Sequence, residues 1–281
     1  MPRSMVAMVL CAALLHVGWN AVVKTSRDRL LVVTQVAGSA ALVSAVALVF
    51  LPFPRPASWI YVLLSAAVHT GYFLFLLRAY QHGDLSQVYP IARGTAPLLV
   101  LALAFVVAGE VPHRTALWAM LLIIVGIMSL AFRGGRRVGA GSKAVAYALG
   151  TAMFIAVYTV VDGLGARLAG SPHGYTASLF VLNGLMLVVL LYLRRRPVAI
   201  TALVGDGWKA GAVAGMMSLV AYWLVIWALS LAPMAPVAAL RETSVIFAAL
   251  LGAVWLKEPF GRWSVASAAL VVAGIVLLQA R

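Results

Sequence analysis

Charge is what this sequence has least of. Only 10% of its 281 residues are Asp, Glu, Lys or Arg, and seven in all are acidic. A water-soluble domain carries about a quarter of its residues as charge, because a folded surface in water needs it. Without that charge, most of the outside has to face lipid. Cysteine is nearly absent as well. Cys11 stands alone in an apolar run, which excludes a disulfide framework and a cysteine-rich metal site. The constellations of an enzyme are also missing: no HExxH, no GxSxG, no paired aspartates inside an apolar run, no His/Cys cluster at ligand spacing. No phosphate-cradling loop is present, so neither a cofactor nor direct drive by ATP is expected.

Apolar residues make up 64% of the chain, at a mean hydropathy of +1.04. A spanning helix needs roughly 20 apolar residues, and ten such runs can be marked out. They are 5–23, 31–51, 58–80, 87–108, 114–132, 143–161, 174–193, 208–231, 235–256 and 262–280. Proline, glycine and charge punctuate the joints, as at Pro52/Pro54/Pro56, Gly134/Gly135, Pro172 and Pro197. Spans of this length satisfy their backbones as helices rather than as barrel strands. The expected fold is therefore an all-α integral membrane protein without a soluble domain. The opening run carries His16, Trp19 and Asn20 and is read as the first span rather than a leader. The net charge of +14 sits in short clusters between spans, such as Arg133, Arg136, Arg137 and Lys143, or Arg194, Arg195 and Arg196. That pattern fits loops at an anionic membrane surface and not a nucleic-acid partner.

The spans repeat. Residues 69–130 lie on 217–278 without a gap, at a constant offset of 148 (241 − 93). Arg93 then meets Arg241, Thr95 meets Thr243, Glu110 meets Glu258, Arg114 meets Arg262, Gly126 meets Gly274 and Ile127 meets Ile275. Apolar coincidences between hydrophobic helices are common, but charged ones are rare. At a second offset, 138 (162 − 24), the helical stripe His16, Asn20, Lys24 falls on Phe154, Tyr158, Asp162. The chain thus divides into five spans in residues 1–138 and five in 139–281. An odd number per unit forces the second to be inverted, the arrangement of secondary transporters, whose site lies between the repeats near mid-membrane. Setting aside Arg93 and Arg241, fourteen basic residues fall in joints on one side and five on the other: Arg3, Arg55, Arg114, Arg167 and Arg281. By the positive-inside rule both termini lie outside.

Several stretches resemble the drug/metabolite transporter superfamily in its ten-helix EamA-type branch. They are "HVGWNAVVK" (His16 to Lys24), "VVAGE" (Val106 to Glu110), "WLKEP" (Trp255 to Pro259) and the "GI" of the fifth and tenth spans. Through the duplication the resemblance covers the whole chain. It implies a bundle in which helices 1–4 and 6–9 surround a central cavity and helices 5 and 10 stand at the periphery. It also implies transport, often export, of amino acids, other small metabolites or drugs, across the inner (cytoplasmic) membrane.

An ionisable residue inside a span is a functional candidate by default. Arg93 and Lys24 are expected to receive the negative group of a substrate. The alternatives for Arg93 are snorkelling to headgroups or pairing with Asp84. Asn20 and Tyr158 are candidates to orient the ligand, or else to bond between helices. Trp223 and Trp227, one turn apart in mid-span, are candidates for an apolar or cation-binding wall. Arg241 and Asp162, the latter placed at the end of the sixth span, are read as an outer gate or a permanent ion pair, with Glu242 beside them. His16 and His69 are candidates for proton coupling. Glu110 and Glu258 are read as helix terminators, and Pro90, Pro97, Pro233 and Pro236 as breaks that make the fourth and ninth spans moving parts. The expected activity is secondary transport, in the direction of export, of a small polar metabolite such as an amino acid or organic anion, by alternating access of the two repeats. The alternatives are a polyprenyl-phosphate flippase and a drug or cation efflux carrier. Partners are the small-molecule substrate and the bilayer, and monomer against homodimer stays open.

Overall fold

The computed structural model describes residues 1–82, 85–131, 141–195, 203–205, 207–255 and 261–279; the side chains of residues 24, 85–87, 130–131, 195 and 252–255 also stand outside the description. All regular structure among the described residues is helical. The helices are α1 (Arg3–Thr25), α2 (Arg29–Ala47), α3 (Trp59–His82), α4 (Leu85–Ala108), α5 (Arg114–Ala131), α6 (Ser142–Leu168), α7 (Pro172–Arg195), α8 (Trp208–Leu231), α9 (Met234–Arg241), α10 (Ser244–Trp255) and α11 (Arg262–Gln279). A 3-10 turn, Pro56–Ser58, leads into α3. Nine described segments are long and apolar enough to cross a membrane, with Met234–Leu251 taken as one, and Arg114–Ser129 is a shorter apolar helix. Large apolar side chains such as Phe105, Trp118, Trp263 and Val276 are more than half exposed. Apolar surface of that kind needs lipid against it.

Two expected spans differ from what is observed. The sixth was placed at 143–161, yet α6 continues to Leu168. Asp162 is therefore inside the helix and not at its end. The glycines that follow Asp162 read as a loop in sequence, but Gly165 is needed inside the helix. A Cβ there would lie 2.5 Å from the Tyr175 ring and 2.6 Å from Tyr61, so only glycine lets these helices approach. The helix ends at Gly170, whose φ of +71° favours glycine. The ninth span is not continuous either. It breaks between α9 and α10 at Glu242 and Thr243, where Thr243 N donates to Leu240 O (3.2 Å) and Ile246 N to Thr243 O (2.9 Å) in a tightened turn. Thr243 Oγ1 also donates to Leu240 O (2.7 Å). By contrast, Pro90 and Pro97 are absorbed within an unbroken α4.

The chain forms two compact units. One comprises Met1–Ala13, Gly71–Val160 and Ala232–Arg281, the other Leu14–Thr70 and Val161–Leu231. In the first unit α5 and α11 lie along each other, and α4 packs on α5 and α9. A Cβ at Gly126 would meet Ser267 O at 2.9 Å and Val271 Cγ2 at 2.7 Å, and one at Gly274 would meet Ala119 O at 2.7 Å. The two contacts exchange under the repeat: 126 and 274 are equivalent positions, as are 119 and 267. Rising numbers on α5 face falling numbers on α11, so these equivalent helices run antiparallel about a local two-fold, as in an isologous interface. Inversion of the repeats is thus visible in the packing itself. Ser129 Oγ and Ser267 Oγ share a hydrogen bond (2.6 Å) in the same seam.

In the second unit α2 packs on α7 and α8. Small residues again set the approach, with Gly184 against Ala37 and Ala41 and Gly215 against Val36 and Ser39. Val62, Ala66, Ala166, Ala169, Tyr175, Leu179 and Ile226 form a buried core there.

Candidate functional site

The first unit holds a buried charged cluster. Arg93 of α4 donates through Nη1 to both carboxylate oxygens of Glu242, at 2.9 Å to Oε2 and 3.2 Å to Oε1. Arg241 lies against the same carboxylate, Nε to Oε1 3.5 Å, and donates through Nη2 to the Tyr158 hydroxyl. Arg93, Arg241 and Glu242 are only 1%, 4% and 1% exposed. Each guanidinium also sits over a phenol ring, Arg93 5.1 Å from the centroid of Tyr89 and Arg241 5.3 Å from that of Tyr158. Tyr72 meets Tyr158 edge to face at 5.8 Å. Delocalised guanidiniums are suited to such dry, stacked positions.

Local sequence explains the placement. Pro97 has no N–H, so the Arg93 carbonyl lacks its usual donor one turn on. Arg241 is the last residue of α9, and Glu242 caps it with φ −72° and ψ −8°. The repeat offset puts Gly94 where the second repeat has Glu242. A Cβ on Gly94 would lie 2.3 Å from Met128 Sδ, so the first repeat packs a glycine under Met128 where the second carries its carboxylate. The two equivalent arginines therefore converge on one acid.

The second unit has its own buried polar group. Asp162 of α6 accepts from the Tyr175 hydroxyl at 2.9 Å through Oδ1 and from the Tyr222 hydroxyl through Oδ2. His69 is buried one ring away, edge-on to Tyr222 at 5.3 Å between centroids. Its Nδ1 lies 2.9 Å from Ser65 O and 3.1 Å from Ser65 Oγ. Farther along α8, Trp223 Nε1 donates to His173 Nδ1 (2.8 Å), and Trp227 stands edge-on to His173 at 5.5 Å.

Against known proteins, the model of the EamA-like transporter family matches twice, over residues 3–132 and 142–279. The chain belongs to the EamA-like transporter family. Its members are transporters and not enzymes, and this EamA-like chain is accordingly a multi-pass membrane transporter built from two repeats. A solved structure described as "Crystal structure of protein" is similar in fold, with TM-score 0.74 and 16% identity, covering 99% of this chain and 97% of that one. No curated protein matches.

Within this EamA-like fold the expected site residues separate into groups. Arg93, Tyr158, Arg241 and Glu242 come together in the first unit. Arg93 is buried and pairs with Glu242, and the alternative partner Asp84 lies outside the described residues. Asp162 and His69 share the second unit with Tyr222. Trp223 and Trp227 gather around His173. Asn20 donates its Nδ2 to His16 O one turn back (2.7 Å), and the His16 ring stands edge-on to Trp19 at 5.0 Å. The Lys24 side chain and Glu258 lie outside the described residues. Tyr175 and His173 were not among the expected residues, and nothing in their spacing marks them. The repeat marked Arg93 and Arg241 as equivalent, but the pairing of Arg93 with Glu242 carried no signal of its own, because the position equivalent to Glu242 is Gly94.

Glu110 does more than end α4. Its Oε2 accepts from the backbone N–H of Met234 (2.7 Å), the first residue of α9. Pro233, at the N-cap, supplies no side-chain acceptor, so a residue of the first repeat caps a helix of the second. Replacing Glu110 with alanine removes both this bond and the charge facing the positive helix end. The expected loss is about 1–2 kcal/mol of unfolding free energy, to be read by thermal unfolding in detergent, with Glu110→Gln retaining part of it.

Proposed function

We propose that this transporter carries a small carboxylate-bearing solute, with an amino acid as the best-fitting class, and that Arg93, Arg241, Glu242 and Tyr158 form its binding cluster. The observation that carries the reading is one buried carboxylate held between two equivalent guanidiniums. That geometry already accommodates a carboxylate. When the carboxylate of a substrate replaces Glu242 on one guanidinium, the released Glu242 becomes a receptor for an ammonium group, and the pair then matches a zwitterion. Tyr158, held by Arg241, supplies a hydroxyl to orient the ligand. Near-complete burial of the three charges favours a small enclosed solute over a lipid-linked phosphate that must keep its tail in the bilayer.

The Arg93–Glu242 pair joins the two repeats, so its breaking and re-forming accompanies their movement in alternating access. The excess of basic residues in one set of loops supports termini outside the cytoplasmic membrane, and the family resemblance supports export as the direction. Asn20, Lys24, Trp223 and Trp227 remain substrate-site candidates on the sequence reading alone.

The test is a ligand-dependent thermal shift on purified protein, because a bound ligand raises stability by mass action. Amino acids, phosphorylated metabolites, organic cations and a soluble polyprenyl-phosphate analogue form the panel. Stabilisation by an amino acid or organic anion is expected, reduced in Tyr158→Phe and lost in Arg93→Ala. A response confined to the lipid analogue moves the assignment to a flippase. A response to cations with both variants unaffected moves it to a drug carrier.

A further inference from the structure

Among the described residues, the only fully buried carboxylate outside the arginine cluster is Asp162. It stands inside α6, a helix of 27 residues. A carboxylate at membrane depth is costly and is retained where it acts. Holding α6, α7 and α8 together does not require a charge, since apolar residues of similar volume pack as well or better. The groups facing it come from three other helices. Tyr175 reaches it from α7 and Tyr222 from α8. From α3, His69 lies against Tyr222, and Tyr61 packs against the buried core that holds Tyr175. On α6 itself, Arg167 follows just over one turn later and donates to Leu229 O at 3.0 Å.

We infer that Asp162 is a proton-carrying site, and that its protonation releases the Tyr222 hydrogen bond tying α8 to α6. An ionised carboxylate only accepts, and here each oxygen takes an O–H from a phenol. Protonation turns one oxygen into a donor. That oxygen keeps only a weakened acceptor capacity, so the phenol whose hydrogen pointed at it loses its charge-assisted bond and can turn away. Tyr222 is the phenol beside a base. Because Ser65 O can only accept, His69 Nδ1 carries its proton toward that carbonyl, which leaves Nε2 as the basic atom of the ring. The step balances simply: a proton leaves water on one side, resides on Asp162 as neutral acid, and returns to water on the other.

A metal ion does not suit the site. The hydrogens of two hydroxyls point at the carboxylate, whereas a hard cation needs several oxygen lone pairs turned toward it. No cluster of three His, Cys, Asp or Glu able to hold a metal occurs among the described residues. The proton site shares no residue with the arginine cluster, so its test needs no substrate.

The experiment combines infrared spectroscopy with hydrogen–deuterium exchange on purified protein as pH is lowered, with no substrate present. A carboxylic-acid C=O band is expected to grow in the wild type and to be missing in Asp162→Asn. Backbone exchange in α8 around Tyr222, corrected for intrinsic rates, is expected to rise about tenfold as that band appears, the scale of one lost hydrogen bond to a charged group. In Tyr222→Phe the band remains, but α8 exchanges fast at every pH. Tyr175→Phe keeps the pH dependence of α8. The proposal is overturned by an acid band that persists in Asp162→Asn, by α8 exchange that ignores pH in the wild type, or by pH-dependent α8 exchange in Tyr222→Phe. If Asp162→Asn does not fold, the Tyr222→Phe result alone decides.

Discussion

Glu242→Gln is expected to lower the unfolding free energy by about 3–5 kcal/mol, the scale of breaking a buried ion pair by removing one partner. The side chain keeps its shape, so the loss is electrostatic. Two guanidiniums that shared a carboxylate, Arg93 at 2.9 Å and Arg241 at 3.5 Å, are left side by side. Arg93→Met is expected to be milder, because Glu242 still faces Arg241 and methionine fills the space of the arginine stem. The double variant should recover stability relative to Glu242→Gln alone, giving a coupling within about 0.5–3 kcal/mol. Thermal unfolding in detergent of the wild type, both single variants and the double variant closes the cycle. Equal losses in both single variants that simply add in the double would mean that the ion pair contributes no specific coupling.

A second large effect is expected in the seam between α5 and α11. Gly126→Ala and Gly274→Ala each force a methyl group to within 2.9 Å and 2.7 Å of a backbone carbonyl of the facing helix. Backbone oxygen cannot swing aside as a flexible side chain can, so each substitution must separate the helices. Overpacking of this kind costs about 1–3 kcal/mol, against a gain in helix propensity of up to about 1 kcal/mol. Valine at either position should exceed alanine. Gly38 provides the control: a Cβ there meets nothing within 4 Å, so Gly38→Ala should be neutral or slightly stabilising. A similar loss at all three glycines would show that the effect lies in the helix backbone and not in the seam.

The spans were legible because lipid demands long apolar runs and so little else is present. The duplication was legible because charge is rare enough for Arg93 over Arg241 to stand out. Inversion followed from counting, and the exchange of Gly126 and Gly274 contacts agrees with it. Partner choice was harder to read. Arg93 appeared to have Asp84 or the headgroups to turn to, and its meeting with Glu242 depends on how closely α4 approaches α9. The end of α6 was missed because glycine after Asp162 signals a turn in water. Between packed membrane helices the same residue marks close contact, as Gly165 does against Tyr61 and Tyr175. The break at Thr243 was missed for the opposite reason, since neither proline nor glycine stands there and the break rests on short-range backbone bonds. Tyr175 reaches Asp162 across the α6–α7 turn, a relation that no periodicity within one helix encodes.

The unequal partners Gly94 and Glu242 bear on energetics as well as on binding. Two identical inverted repeats would give inward-open and outward-open forms of equal free energy, since one is the other turned over. Position 94 is glycine, so one acid serves two arginines and that equality would be lost. If the repeats alternate as proposed, the resting population is biased by the protein itself, before any gradient acts. A difference of about 1.4 kcal/mol is enough to hold ten molecules facing one way for each facing the other.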